Sequence, residues 1–340
     1  MSNQPALTAM MLNMAASENI LHQSVAAELI VHTASKRERA SAIIASGIPV
    51  LKKLYESKND NIRSRALVGL CKLASCGGDD ATRRAMQEGS TLKLAESCKK
   101  FLLSGTKDLD VRRWAAEGLS YLTLDAEVKE WLVHDQDLTR SLVTLAKQAG
   151  PLCVFGVANI FVNLTNTYEK PQADPEMVKL AKFAKHHVPE THPKDAPEFV
   201  KDRVEALIAA GAVGACVALG DTQSVQSREM LARALSSFCK MPEHRGQVVK
   251  EGGAKLLVSL ALEGSELGRE YAAQGLSRIG ATMDPNLAFP GQRMYECVRP
   301  ILQLLHVEKS GIQNYEALLA LTNLTSVSDS VRCAFAFIVK

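Results

Sequence analysis

Apolar residues recur four and then three positions apart at seven places along the chain, each time followed by a small residue. The segments are AAELIVHTA (26–34), ALVGLCKLA (66–74), AAEGLSYLT (115–123), VANIFVNLT (157–165), LARALSSFC (231–239), AAQGLSRIG (272–280) and ALLALTNLT (317–325). The first, fifth and eighth positions of each share one helical face, as Ala66, Leu70 and Leu73 do, or Ala115, Leu119 and Leu122. A small first residue lets neighbouring helices approach, and the larger ones fill the layer between them. The segments start 40, 49, 42, 74, 41 and 45 residues apart. Five of these six steps lie near the roughly 40–47 residues of an armadillo or HEAT repeat, with 49 as a modest insertion.

A second pattern follows four of these helices: an apolar pair, a turn containing Gly, and a new amphipathic helix. It occurs around Gly47, Gly89, Gly211 and Gly252, where Gly suits the left-handed residue that ends a helix. Pro49 and Pro300 stand where new helices are expected to begin. The pattern predicts an all-α, right-handed superhelical armadillo solenoid of about six to seven repeats, one domain spanning residues 1–340.

The 74-residue step carries about 32 residues more than a normal one. The excess maps to 166–203, a segment with Pro171, Pro175, Pro189, Pro193 and Pro197. A short helix is expected from Pro175 to Lys185 and a loop from His186 to Pro197. Both ends read as cut through a repeat. Residues 6–16 resemble the last helices of a preceding unit, and the segment 326–340, with VRCAFAFIVK at its end, begins a unit and stops. Met10, Met11 and that tail are therefore expected to leave apolar surface uncovered and to favour self-association.

Composition narrows the function. Hydrophobic residues make up 46% and aromatics 5%, which favours close helix packing over strands. A net charge of +3, from 40 basic and 37 acidic residues, gives no general attraction to nucleic acid. The run Ala206–Gly220 is uncharged but too short and glycine-rich to span a bilayer. The N-terminus has no signal-peptide pattern, and the eight cysteines contain no Cys-x-x-Cys pair. A soluble, cytoplasmic chain with buried, reduced thiols is expected.

Candidate chemistry is sparse. His186, His187 and His192 lie near Glu190 and Asp195, but Pro189 and Pro193 prevent a helix from aligning them as metal ligands. Walker and Gly-x-Ser-x-Gly patterns are absent. The expectation is a non-catalytic protein without cofactor or metal. Asn163 and Asn323 each open an Asn-Leu-Thr triplet, read as accidental because each sits within an inner helix.

Positions flanking the core stripe are expected to line a partner-binding groove. One column holds His32, Lys72, Tyr121, Asn163, Ser237, Arg278 and Asn323; the other holds Glu28, Val68, Glu117, Asn159, Arg233, Gln274 and Leu319. Asparagine can both donate to and accept from an extended peptide backbone, and Trp114, Tyr121 and Tyr271 add aromatic surface suited to a protein partner. The candidate groove set is Lys72, Trp114, Tyr121, Asn159, Asn163, Arg233, Tyr271, Arg278 and Asn323. A second candidate site is the basic part of the insertion: Lys182, Lys185, His186, His187, His192 and Lys194. An ordinary solvated helix face and a tolerated surface loop are the plain alternatives.

Several stretches also resemble a known family as words. ALVGLCKLASCGGDD (66–80), EGSTLKLAESCKKFL (88–102), RRWAAEGLSYLTLDAEVK (112–129), LAKFAKHHVPETHPKD (180–195), GGAKLLVSLALEG (252–264), AFPGQRMYECVRPILQLL (288–305) and QNYEALLALTNLT (313–325) resemble the UCS-domain myosin chaperones, the Unc-forty-five family of animals. The resemblance implies armadillo repeats, a role in folding and assembling myosin motor domains, and partnership with the ninety-kilodalton heat-shock chaperone. That chaperone is bound through a tetratricopeptide module this chain does not contain, so the chain reads as a fragment, an isoform or a partial gene product from the early UCS region. The other reading is an armadillo adaptor for extended peptide motifs.

Overall fold

The computed structural model describes residues 4–33, 47–75, 90–166, 176, 179, 180, 183 and 192–339. Among the described residues there are helices and no strands. In chain order they are α1 (Gln4–Ala16), α2 (Ile20–Thr33), α3 (47–55), α4 (Asp60–Ser75), α5 (Ser90–Leu103), α6 (Leu109–Leu122), α7 (Ala126–His134) and α8 (Gln136–Ala149). Then come α9 (Val154–Thr165), α10 (Pro197–Ala209), α11 (Ala212–Leu219), α12 (Val225–Phe238), α13 (Pro242–Lys250) and α14 (Gly253–Glu263). The last are α15 (Glu266–Thr282), α16 (Pro285–Ala288), α17 (Arg293–Leu302), α18 (Gly311–Val327) and α19 (Asp329–Val339).

The described residues of all seven periodic segments lie on α2, α4, α6, α9, α12, α15 and α18, with Thr123 and Cys239 following directly on the ends of α6 and α12. Each of these inner helices packs against the next, forming one ladder along the molecule. The core stripe is buried from the second rung onward: Ala66, Leu70 and Leu73, then Ala115, Leu119 and Leu122, and so on to Ala317, Leu321 and Leu324. The architecture is an all-α, armadillo-like solenoid.

Polar caps start the rungs. Asp108, Ser224 and Ser265 accept from the third backbone N–H of α6, α12 and α15, and Ser310 forms a capping box with Gln313 at α18. Gly211 (φ 90°) and Gly252 (φ 87°) make the left-handed turns into α11 and α14, as the Gly-turn pattern predicts; other side chains resist that conformation. Pro49 falls in the first turn of α3. Pro300 does not start a helix: α17 already begins at Arg293 and carries the proline inside it, at the cost of the N–H that residue 300 would otherwise donate to the carbonyl of residue 296.

The stretch most relevant to a membrane is not the uncharged run Ala206–Gly220, which Gly211 divides between α10 and α11. Gln136–Thr165 has the length and hydropathy of a membrane span, but 61% of its apolar window is buried inside the protein. It is also broken at Gly150 (φ 52°) into α8 and α9, which serve as core helices. Among the described cysteines, Cys71, Cys98, Cys153, Cys216, Cys239 and Cys297 are buried, and Cys333 on α19 is exposed. Burial pushes the Cys153 thiol up to about 11 and the Cys239 thiol up to about 12, which makes them poor nucleophiles. Met10 is exposed, but Met11, expected beside it on the surface, is buried.

Glu176, Lys179, Leu180 and Phe183 are helical, within the helix expected from Pro175 to Lys185. At the other end of the insertion, Pro193–Asp195 form a short 3-10 turn and α10 starts at Pro197.

Candidate partner-binding groove

The flanking columns of the inner ladder form a chain of paired groups. At the first rungs Arg65 on α4 bridges three helices: its Nε donates to Glu28 Oε1 (2.5 Å) on α2 and its Nη2 to Asp110 Oδ2 (3.3 Å) on α6. The Arg65 guanidinium lies 5.0 Å from the Trp114 ring centre, and that of Arg113 lies 5.7 Å from it. Trp114 is thus buried beneath two cations, rather than displayed as an exposed anchor.

One rung on, Lys72 is buried with its Nζ 5.2 Å from the Tyr121 ring centre. Tyr121 donates to Glu117 Oε1 (3.4 Å) and lies 6.2 Å from the Phe155 ring. Burial holds the Glu117 carboxyl above its usual 4.5, against the opposing pull of Lys72, His32, Tyr121 and Arg113. Farther along, Arg233 donates to Asn166 Oδ1 (2.5 Å) and lies 5.8 Å from the Tyr271 ring. Arg278 and Gln274 both meet Glu316 from the next rung.

The asparagines have a role that the sequence pattern does not reveal. Asn163 Nδ2 donates to Ser120 O (3.1 Å) and Thr123 Oγ1 (3.0 Å). Asn323 Nδ2 donates to Gly280 O and Ala281 O (both 3.0 Å), and Arg278 Nη1 donates to Ser236 O (2.9 Å). Each reaches back one repeat to carbonyls at or near the end of the preceding inner helix, groups that have few or no partners within their own helix. These N–H donors therefore tie successive repeats together. Asn159 is half-buried on α9.

In the insertion, Lys182, Lys185, His186 and His187 lie outside the described residues. His192 and Lys194 both turn to Glu127 on α7. Lys194 Nζ donates to Glu127 Oε2 (2.5 Å), and His192 Nε2 lies 3.6 Å from Glu127 Oε1. The Lys194 hydrogen bond holds the Glu127 carboxyl below its usual value.

Sequence reasoning missed the groups that anchor this segment. Fully buried Lys129 on α7 donates to Asp195 Oδ1 (2.6 Å). Fully buried Arg203 on α10 donates to Leu164 O (3.0 Å), Glu130 Oε1 (2.8 Å) and Lys194 O (2.8 Å), with Asp195 at 3.5 Å. A cavity of about 470 Å³ opens beside this network, lined in part by Glu130, His134, Arg140 and Arg203. No periodicity marks Lys129 or Arg203; apart from Lys194 and Asp195, which lie close to Arg203 in the chain, their partners come from residues 39 to 73 positions away.

Comparison with known proteins places this ladder. The family described as "UNC45-central: Myosin-binding striated muscle assembly central" matches residues 2–98. Protein unc-45 homolog B of Mus musculus is 46% identical over 330 residues, covering 95% of this chain. The chain belongs to the UNC-45 family. It spans 35% of the length of the mouse relative. UNC-45 from Drosophila melanogaster superposes with a TM-score of 0.84 at 48% identity, over 97% of this chain and 42% of that one. The myosin chaperone UNC-45 from C. elegans, solved with an Hsp90 peptide, gives 0.83 at 48% identity, over 98% and 34%. The family's central model covers the words at 66–80 and most of 88–102.

Proposed function

We propose that this chain is a non-catalytic, client-binding part of a myosin-directed co-chaperone that acts in the cytoplasm on myosin motor domains. In a longer product, the ninety-kilodalton heat-shock chaperone would join through a tetratricopeptide module outside this chain. The observation that carries the reading is the unbroken ladder of inner helices, which aligns over nearly its whole length with solved UNC-45 chains. The proposed client surface is the half-buried face of that ladder at Tyr121, Asn159, Arg233 and Tyr271. Burial and internal pairing make Lys72, Trp114, Asn163, Arg278 and Asn323 supports of that surface. A peptide-gripping adaptor is less well supported, since the Nδ2 groups of Asn163 and Asn323 already serve the repeat junctions.

The test is binding of the purified chain to a myosin motor domain, together with protection of that domain from heat-induced aggregation. Parent protein is expected to bind, and Tyr121→Ala combined with Arg233→Ala to weaken binding about tenfold while melting stays close to the parent's. Absence of binding by the parent would defeat the reading. Unchanged binding by the double variant would move the client surface elsewhere. For the insertion, a Gly/Ser replacement must stop at residue 191, because residues 192–197 include the Asp195 anchor.

A further inference from the structure

A cluster of metal-ligating groups lies beyond the inner ladder. Glu205 on α10 and Glu243 and His244 in the first turn of α13 each offer one ligand atom, and these atoms all fall within 4.8 Å of one another. None of the pairs is bound internally: no hydrogen bond or ion pair joins the imidazole to either carboxylate. The His244 Nε2 is sealed from solvent and has no hydrogen-bond partner. A buried imidazole nitrogen without a partner is costly, and the two exposed carboxylates of the cluster repel each other. A divalent cation relieves both.

The neighbouring charges leave room for it. Lys201 touches Glu205 only at 3.8 Å, in a pair where both side chains are exposed. Arg245 follows His244, but its guanidinium turns to Cys239 O and Thr282 Oγ1, each at 2.8 Å. The α13 helix dipole opposes a cation at this end, and the two carboxylates offset it.

We propose that Glu205, Glu243 and His244 form a zinc-type divalent-metal site that clamps α10 to α13. One imidazole with two carboxylates suits Zn²⁺ or Co²⁺, with a fourth position left for water. Ca²⁺ and Mg²⁺ prefer all-oxygen shells and gain little from an imidazole. The two helices belong to successive repeats, and α10 is the helix that Arg203 fastens where the insertion rejoins the ladder. Metal binding would therefore fix the angle between repeats at the irregular step.

The experiment uses the 340-residue chain freed of metal by a chelator, titrated with Co²⁺ by visible absorption and with Zn²⁺ by competition. One ion per chain is expected, with melting raised by about 2 °C at about tenfold excess over Kd. His244→Asn and Glu205→Gln should each weaken binding by about tenfold or more. Without metal both variants should melt at or slightly above the parent's temperature, since each removes a member of the unrelieved cluster; Glu205 is exposed, so its variant keeps the test valid if His244→Asn folds poorly. No melting response to Zn²⁺, or parental affinity in both variants, would overturn the site. A Ca²⁺ response equal to that of Zn²⁺ would overturn its zinc-type character.

Discussion

Lys129 and Arg203 are cations without access to solvent, and both depend on Asp195. Removing one member of a buried ion network leaves the others desolvated and uncompensated, so Asp195→Ala is expected to cost about 3–5 kcal/mol in urea unfolding. Glu127→Gln, which breaks only the exposed pairs to His192 and Lys194, should leave stability within error of the parent. Similar losses in both variants would mean that the network does not hold the insertion. Glu117 gives a pH prediction of opposite sign to the usual carboxylate. Its folded value is raised above 4.5, so between the two values the folded state binds more protons than the unfolded one and stability falls as pH rises. Glu117→Gln removes that term. The melting temperature of the variant relative to the parent should therefore rise as pH climbs from 4.5, then level off. A difference that stays flat with pH would show that the Glu117 environment is not desolvating.

At the scale of helices, Leu119 and Leu276 occupy the fifth position of their periodic segments, on the core face, and are fully buried. Leu119→Ala or Leu276→Ala should each cost about 2–5 kcal/mol. A sharper probe of rung spacing is Gly156, near the start of α9. A Cβ there would lie 2.9 Å from Glu117 N and 3.1 Å from Ala116 C, backbone atoms of α6 that cannot swing aside. Gly156→Ala should thus destabilise although Ala is the better helix former, and melting at or above the parent's would contradict this close contact. The periodic segments made the inner helices legible because apolar spacing is local and follows helix geometry. Pro300 misled because a proline marks a helix start only as a tendency, and packing of α17 holds it inside the helix despite the backbone bond it removes. The asparagine column misled for a different reason. Its spacing gives the correct face, but the partners of Asn163 and Asn323 sit 40 to 43 residues away, on the preceding repeat. The same holds for Glu205, Glu243 and His244, which no sequence spacing brings together.

At the scale of the whole molecule, the first and last rungs carry large exposed apolar side chains. Ile20, Leu21 and Val25 lie on α2, with Leu21 68% exposed; Ile312, Tyr315, Leu318 and Leu319 lie on α18, with Leu318 55% exposed. Patches of this kind favour association. The two faces sit on opposite ends of the ladder and differ in sequence, so the contact they favour is head to tail rather than a two-fold pairing of identical faces. The parent chain is therefore expected to sediment faster as its concentration rises. Leu21→Lys should block one face and Leu318→Lys the other, so that each variant alone is monomeric. An equal mixture of the two variants retains one intact α18 face and one intact α2 face, and should form a dimer that grows no further. A parent that stays monomeric at high concentration would remove the premise. Self-association by either variant alone would mean that like faces pair, and that the ends of the ladder are not complementary.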